Sequence, residues 1–245
     1  GFIGSRLGGT GIATVTGSGS QWNNSNYLSV GDEGTGTLNV MDGGVVSMAG
    51  SFYHDGGYIG RYSGSTGVVT VTGSGSWWRN SDDLWIGGND FAAGGAGTLN
   101  LYDSGLVTVT NITKLWDTGT LNLDGGSLTT GSFDNSELGT LNFHDGTLTV
   151  NGASGVFDPG TDHFTIDGDT VDDTPHLVIA DTASTTLSGN LTVGSTARGK
   201  LTVETGGVVS SMNGSMGHNS GSTGEAMVSG TRFAVEQLGL VGCGG

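Results

Sequence analysis

The phrase GTLNV at 36–40 returns as GTLNL at 97–101 and 119–123, as GTLNF at 139–143 and as GKLTV at 199–203. Longer segments repeat too, since TVTGSGSQWNNSNYLSVG at 14–31 recurs as TVTGSGSWWRNSDDLWIG at 70–87. Within the copies, apolar residues alternate with polar ones, and this period of two is typical of strands rather than helices. A chain that repeats one strand phrase in this way is predicted to form a solenoid.

The repeat predicts an all-β fold, a parallel β-helix of about nine coils with three short strands per coil. A β-sandwich or barrel also has short strands and frequent turns, but neither requires the same phrase in every circuit. Residues 1–245 are predicted to form a single β-helix, with regular repeats at 1–110 and 185–245 and divergent coils with longer, Asp-rich loops at 111–184. The coils are expected to begin near Gly11, Gly36, Gly67, Gly97, Gly119, Gly139, Pro175, Gly199 and Gly224.

Alternation along the phrase assigns each side chain to the inside or the outside of the coil. Leu38 and Val40 point inward, whereas Asn39 between them points outward. The inward residues of all copies, through Ala226 and Val228 in the last, are expected to stack into two apolar columns. The outward residues are expected to form one column, which consists of Thr14, Asn39, Thr70, Asn100, Asn122, Asn142, Val178, Thr202 and Met227.

Stacked Asn and Thr side chains can hydrogen-bond along the axis of a parallel stack. The members Asn39, Thr70, Asn100, Asn122 and Asn142 are therefore interpreted as a structural ladder. A flat, Thr-rich ice-binding face is the alternative. It is disfavoured because the neighbouring outward column contains Tyr102, Asp124, His144 and Glu204.

Composition excludes several classes of protein. The 245 residues include 50 Gly but only 2 Pro, without the three-residue period of collagen. Seven Lys and Arg against 23 Asp and Glu give a formal charge of −16, which excludes nucleic acid and anionic membranes as partners. No run of about 18 apolar residues is present, so membrane insertion as a helix is not expected. The single cysteine, Cys243, cannot form an internal disulfide.

Two further expectations concern the export signal and the strand edges at the ends of the chain. The opening GFIGSRLGG has no basic start followed by an apolar stretch, so an export signal is expected to lie elsewhere. Neither the first coil nor the last, at LGLVGCGG, carries the charge run or proline that guards an exposed strand edge. Both ends are therefore expected to pair with a partner or with further coils.

The segments TVTGSGSQW at 14–22 and LSVGDEGTGTLNVMDGGVVS at 28–47 carry a family resemblance. They resemble the glycine-rich repeats of type V secretion autotransporter passengers and of PEP-CTERM-type bacterial surface proteins. The resemblance covers residues 1–110 well and 185–230 less closely, while 111–184 departs from it. It implies a right-handed β-helix in an exported bacterial protein, located outside the cell or at its surface.

Polysaccharide-acting enzymes also use parallel β-helices, and they need two carboxylates about 5–10 Å apart. The densest candidate cluster is Asp158, Asp162, His163, Asp167, Asp169, Asp172, Asp173, His176 and Asp181. These acids occur in DPG, DGD and DDTP sequences, which are typical of turns. No Lys or Arg lies between Lys114 and Arg198 to neutralise an acidic sugar. We therefore assign no catalytic residue, and an enzyme ranks below the non-enzymatic interpretations.

Metal binding was tested by the same reasoning. GGAGTLNL at 94–101 comes close to the calcium-binding β-roll motif, but Leu99 occupies the position that requires Asp. The five His residues lack the spacing of a zinc site. Asp167 and Asp169, on either side of Gly168, are the only candidates for a Ca²⁺ site, and no other cofactor is expected.

Aromatic residues supply the candidate binding surface. In LWIG at 84–87, Trp85 lies between two inward residues and is expected to face solvent. Trp78 is expected in the core, which places its neighbour Trp77 outside beside Trp85, with Phe91 in the following loop. Exposed aromatic rings can bind sugar rings or a protein partner. The alternative is that the loop at 88–96 folds back and covers them.

Two functional classes follow from these observations. The first is a secreted bacterial cell-surface module, an adhesin or stalk that contacts a glycan, a host cell or a neighbouring cell. The second is a structural subunit that associates with its own copies, end to end in a fibre or side by side.

Overall fold

The computed structural model describes residues 1–49 and 56–229 and the backbone of 233–238, so Cys243 lies outside the described residues. All regular elements in these ranges are strands, and no helix that could cross a membrane is present there. In chain order the first strands are β1 (Phe2–Ile3), β2 (Thr10–Thr16), β3 (Gln21–Asn24), β4 (Leu28–Val30), β5 (Thr35–Met41), β6 (Val45–Met48), β7 (Gly57–Ile59), β8 (Thr66–Thr72), β9 (Trp77–Asn80), β10 (Leu84–Ile86), β11 (Ala96–Tyr102) and β12 (Leu106–Leu115). They continue as β13 (Gly119–Asp124), β14 (Ser127–Asp134), β15 (Thr140–Phe143), β16 (Thr147–Val150), β17 (Phe157–Asp158), β18 (Phe164–Ile166), β19 (His176–Ile179), β20 (Ser184–Val193), β21 (Arg198–Val203), β22 (Val208–Met216), β23 (Thr223–Val228) and β24 (Phe233–Leu238).

Each coil contributes one strand, or one half of a long strand, to each of three faces. Face I contains β2, β5, β8, β11, β13, β15, β18 and the second halves of β20, β22 and β24. Face II contains β3, β6, β9, the first halves of β12 and β14, then β16, β19, β21 and β23. Face III contains β1, β4, β7, β10, the second halves of β12 and β14, β17, and the first halves of β20, β22 and β24.

The described strands pair in parallel with the strands of the adjacent coils. Neighbouring strands in such ladders lie about 4.8 Å apart. The predicted all-β parallel β-helix of about nine coils is therefore confirmed, while its right-handed sense stays a prediction.

The repeated phrase builds the core of face I. Leu99 of β11 lies in register with Val69 of β8 and with Leu121 of β13. All three side chains are fully buried, and burial of each contributes roughly 1.5–3 kcal/mol. Trp78 is also fully buried, as predicted.

Steric contacts explain why each copy of the phrase begins with glycine. At Gly67, a Cβ atom would lie 2.0 Å from the carbonyl oxygen of Val30 and 2.5 Å from the amide nitrogen of Gly60. Position 67, the second residue of β8, is therefore open only to glycine. Its counterpart Gly36 has backbone atoms of Gly31 and Ile3 equally close, which explains why the phrase begins with glycine in each copy.

The copies of the phrase do not all stack on one face. Those at 97, 119 and 139 pair with one another on face I. The copy at 199 lies in β21, which pairs with β19, and β19 pairs with β16 on face II. The prediction of one outward column is therefore wrong for Val178, Thr202 and Met227, which follow Thr149 on face II.

The divergent stretch after β16 explains this change of face. Residues 151–174 contribute β17 to face III and β18 to face I without a copy of the phrase. The next strand, β19, therefore falls on face II, and the copies in β21 and β23 stack on it.

Face II and the part of face III up to β17 form one 14-stranded sheet, whereas face I is interrupted. The first part of face I is a six-stranded sheet that ends at β15. Its second part begins at β18, in a four-stranded sheet that also contains the face III strands after β17.

Ala226 and Val228 were predicted to be buried, and that prediction is wrong. Both side chains are exposed, Val228 at 39%. Their register on Leu201 and Val203 is as expected. Of the described strands only β21 pairs with β23, so no second rung covers these inward residues.

Candidate functional site

Trp85 was predicted to face solvent, and the structure shows that this is wrong. Its side chain is only 7% exposed. The indole stacks on the ring of Tyr58 from the preceding coil, with centroids 4.8 Å apart and planes inclined by 14°. Trp85 therefore takes the outward position as expected, but the ring of Tyr58 covers its indole.

The loop at 88–96 folds back between two coils. The side-chain oxygen of Asn89 accepts hydrogen bonds from the amides of Phe91 and Ala92, and its nitrogen donates to the carbonyl of Arg61. Trp116 Nε1 donates to the carbonyl of Asn89 at 3.0 Å. This closed loop leaves the Phe91 side chain 80% exposed.

Trp77 is half-buried and lies apart from Trp85. It belongs to β9 on face II, in register with Val45 and Leu106, whereas Trp85 belongs to β10 on face III. Trp77 Nε1 donates to Thr108 Oγ1 at 3.0 Å, and the guanidinium of Arg79 lies 3.4 Å from its ring centroid. Trp77 and Trp85 therefore do not form a common platform, and ligand binding by Trp77 or Phe91 stays a prediction.

An aromatic stack along face III was missed by the sequence reasoning. Phe2, Tyr27, Tyr58 and Trp85 contact one another in succession, with centroid distances of 5.3, 6.0 and 4.8 Å. Tyr58 and Trp85 each stand two positions before a corner glycine, in YIG and WIG. That shared spacing is the signal that could have revealed the stack.

One cation is held beside this aromatic stack. The Arg61 guanidinium lies 4.2 Å from the Tyr58 ring centroid, and its Nη1 atom lies 3.2 Å from Asp32 Oδ1. Burial raises the pKa of the Tyr58 phenol above its usual range. The arrangement ties three coils together and can present aromatic edges to a partner, because Phe2 and Tyr62 are 51% and 41% exposed.

The Asn and Thr side chains of face I are joined along the axis. Asn142 Nδ2 donates to Asn122 Oδ1 at 2.7 Å, and Asn122 Nδ2 donates to Asn100 Oδ1 at 2.7 Å. Asn100 Nδ2 continues to Thr70 Oγ1 at 3.2 Å, and Asn39 Nδ2 lies 3.5 Å from Thr14 Oγ1. These bonds cross from coil to coil, so they add side-chain pairing to the backbone ladder.

The carboxylate of Asp167 joins two coils. It accepts hydrogen bonds from the amides of Ser195, Thr196 and Ala197 at 2.8–2.9 Å and from the Thr196 hydroxyl at 2.7 Å. Burial alone would raise the pKa of Asp167, but these four donors outweigh it and hold the pKa below the usual range.

Asp169, the second calcium candidate, has a different partner, since its Oδ2 atom lies 3.0 Å from His144 Nδ1. Across the described part of the chain, no three His, Cys, Asp or Glu side chains are grouped to hold a metal ion. Calcium binding at Asp167 and Asp169 stays a prediction.

Other acids of the predicted cluster also serve the turns. Asp158 Oδ1 accepts from the amide of Gly160 at 2.8 Å, and Asp173 Oδ2 accepts from the amide of Thr170 at 2.8 Å. Asp162 accepts from the Ser188 hydroxyl, and the neighbouring His163 Nδ1 accepts from the amide of Asn190 at 2.8 Å. The contacts of Asp158 and Asp173 match the turn interpretation of the DPG and DDTP sequences, whereas those of Asp162 and His163 join two coils.

Two cavities lie where face I is interrupted. One of about 400 Å³ is lined by β15 and β18 themselves, through Leu141, Phe143 and Phe164, and by the residues that follow β18. The other, of about 560 Å³, is lined by the loops that precede the same two strands, including Leu138 and Thr161. Both cavities border the interruption between β15 and β18, and together they are called the groove here.

Half of this chain is similar to a small part of a bacterial adhesin. A stretch of 120 residues, 49% of the chain, is 31% identical to the adhesin BmaC autotransporter of Brucella suis biovar 1 (strain 1330). The aligned part makes up 3% of that much longer protein. No family model and no solved structure matches the chain.

Proposed function

We propose that this chain is a non-enzymatic module of a bacterial cell-surface adhesin, a stiff β-helical segment displayed outside the cell. The observation that carries the proposal is the similarity of half the chain to an autotransporter adhesin, in a chain that folds as a parallel β-helix.

The structure supports a stiff element with contact surfaces. Backbone ladders run through successive coils, and the chain from Asn142 to Thr70 adds side-chain hydrogen bonds along the axis. Such quasi-one-dimensional stacks hold their surface residues in fixed relative positions. The exposed aromatic side chains of Phe91 and Tyr62 project from this frame.

The chemistry of the acidic region supports a non-enzymatic role. Asp158, Asp162, Asp167 and Asp173 each accept hydrogen bonds from turn amides or from the next coil. Their carboxylates serve the structure of the loops. The formal charge of −16 favours a partner other than nucleic acid or an anionic membrane.

The test is surface display. The chain is fused to an autotransporter barrel in a non-adherent bacterial strain, and attachment to cultured epithelial cells is compared with that of an unrelated β-helix displayed at the same density. We expect attachment to increase several-fold and the purified chain to compete. Attachment equal to the control, at equal display, contradicts the proposal.

A matched pair of variants locates the contact. Phe91 and Leu7 are both exposed apolar residues in loops, at 80% and 86%. If the exposed Phe91 side chain contacts the partner cell, Phe91→Ser lowers attachment, whereas Leu7→Ser leaves it unchanged.

A further inference from the structure

Face I is open between β15 and β18 by more than the spacing of a strand pair. Paired strands lie about 4.8 Å apart, whereas most Cα–Cα distances between β15 and β18 exceed 8 Å. Within the fully described stretch 140–166, no backbone hydrogen bond joins the two strands. The opening, here called the β15–β18 gap, is therefore wider than the spacing of a strand pair, and the two cavities described above border it.

Backbone groups of both strands point into the gap. His144, directly after β15, donates its backbone N–H to Leu123 O, so the backbone groups of His144 and of Asn142 in β15 face the paired strand β13. Because successive residues of a strand direct their backbone groups to opposite sides, those of Leu141 and Phe143 face the gap. By the same reasoning Gly194 N, which donates to Ile166 O, leaves the N–H and C=O of Thr165 facing the gap from β18.

The side chains that border the gap are incompletely covered. Leu141 is half-buried, although its counterpart Leu121 on the adjacent coil is fully buried. Phe164 is half-buried as well, in edge-on contact with Phe157 at 5.0 Å, and Leu138 at the entrance is 63% exposed. Inward side chains of an added strand would cover these apolar surfaces.

The charge around the groove limits what can enter it. Its lining includes Asp158, Asp162, Asp167 and Asp169 but no Lys or Arg. An inserted segment with a basic residue at either end would meet these carboxylates. A second copy of this chain, with a formal charge of −16, is disfavoured as the occupant by the same carboxylates.

We propose that the β15–β18 gap binds an extended peptide segment of a partner protein by β-strand addition. The segment runs parallel to both strands, presents apolar residues at alternate positions to Leu141 and Phe164, and carries basic residues at its ends. Main-chain hydrogen bonds supply affinity in this mode, and the alternate side-chain positions supply selectivity. A glycan would leave the facing amides of Leu141, Phe143 and Thr165 without regularly spaced partners. This inference goes beyond the adhesin role and does not depend on it.

The experiment uses the whole chain and a small set of synthetic heptapeptides. Each peptide has Lys at both ends, Thr at the outward positions and Val, Leu or Phe at the two inward positions. We expect at least one peptide to bind in isothermal titration calorimetry. In amide hydrogen exchange by NMR, binding should protect the amides of Leu141, Phe143 and Thr165 more than those of Leu121.

Two variants at one position separate backbone pairing from side-chain contact. Thr165→Pro removes the N–H that faces the gap and is compatible with an edge strand, so peptide affinity should fall at least tenfold. Thr165→Ala keeps that N–H and should bind within twofold of the wild type. Circular dichroism and thermal melting establish that both variants fold.

The peptide itself provides a second control that is independent of protein folding. N-methylation of alternate peptide amides on one edge removes donors without changing the side chains, and it should abolish binding to the wild type. The proposal is overturned if no peptide of the set binds at millimolar concentration, or if methylated and unmodified peptides bind equally. It is also overturned if cellohexaose protects the same amides instead. Failure here leaves the attachment assay unaffected, so the two proposals are separable.

Discussion

β13 and β15 carry nearly the same phrase, GTLNL and GTLNF, and occupy consecutive coils of face I, yet their environments differ. Leu121 of β13 is fully buried, whereas Leu141 of β15 is half-buried. β13 has a paired strand on each side, and β15 has one only. In a solenoid, the burial of a rung therefore depends on the coil that follows it as much as on its own residues.

The difference originates downstream of both strands. Residues 151–174 introduce β18, which follows β15 on face I without pairing with it. Faces II and III close over the same stretch, because β16 pairs with β19 and β14 pairs with β17. One local interruption thus opens a groove on one side of an otherwise continuous stack.

The largest loss of stability is expected when Asp replaces Leu at one of two equivalent positions, Leu121 in β13 and Leu141 in β15. Leu121→Asp buries a carboxylate without a partner, and we expect a loss of about 3–5 kcal/mol in the free energy of unfolding. Leu141→Asp leaves the carboxylate next to the groove and its water, so we expect about 1–2 kcal/mol. Urea unfolding measures both. Equal losses would show that the coil after β15 closes over Leu141.

Substitutions in the Asn ladder are expected to cause smaller losses in the free energy of unfolding. Asn122 both donates to Asn100 and accepts from Asn142, whereas Asn142 at the last rung of the sheet donates one bond. Asn122→Ala should therefore cost about 1–2 kcal/mol and Asn142→Ala about 0.5–1 kcal/mol. The comparison uses the urea midpoints of the two variants. A larger loss for Asn142→Ala would contradict the order derived from the ladder.

A further effect of about the size expected for the Asn ladder concerns the far side of the groove, where Asp167 joins two coils. Its pKa is lowered in the folded protein by hydrogen bonds from Thr196, Ala197 and Ser195 that outweigh burial. A carboxyl with a lowered folded pKa stabilises the fold above its unfolded pKa of about 3.9, and this stabilisation is lost as pH falls through the folded pKa.

Asp167→Asn should therefore lower stability by about 1 kcal/mol at pH 7, a value reduced by partial exposure. The difference in the free energy of unfolding between this variant and the wild type should stay constant down to about pH 5 and shrink below pH 4. Asp117→Asn, at an exposed acid, controls for the change in net charge. A difference that is unchanged at pH 3 would mean that the charge of Asp167 does not contribute to stability.

Much of the fold could be predicted from the sequence because its cause is local. Alternation within GTLNL places Leu99 and Leu121 inside, and the steric limit at Gly67 explains the glycine at the start of each copy. The turn interpretation of Asp158 and Asp173 also depends on nearby residues, and the structure shows those turn bonds.

The remaining features depend on contacts between coils, which the phrase does not encode. Trp85 was expected to face solvent because its neighbours point inward, but Tyr58 from another coil covers it. The stacking of Val178 and Thr202 on face II depends on how many strands the divergent stretch contributes. The groove depends on the failure of β18 to pair with β15, which alternation alone could not reveal.

The change of face after β16 also alters the direction in which the protein displays its turns. Before the divergent stretch, the turn after each copy of the phrase leads from face I to face II, as at 42–44 and 103–105. After it, the equivalent turn at 204–207 leads from face II to face III. Because the next copy of the phrase begins one strand later than on the earlier coils, the later described turns that follow it are rotated by one third of a revolution. A protein made from a single repeating unit can in this way point the same kind of loop towards more than one neighbour.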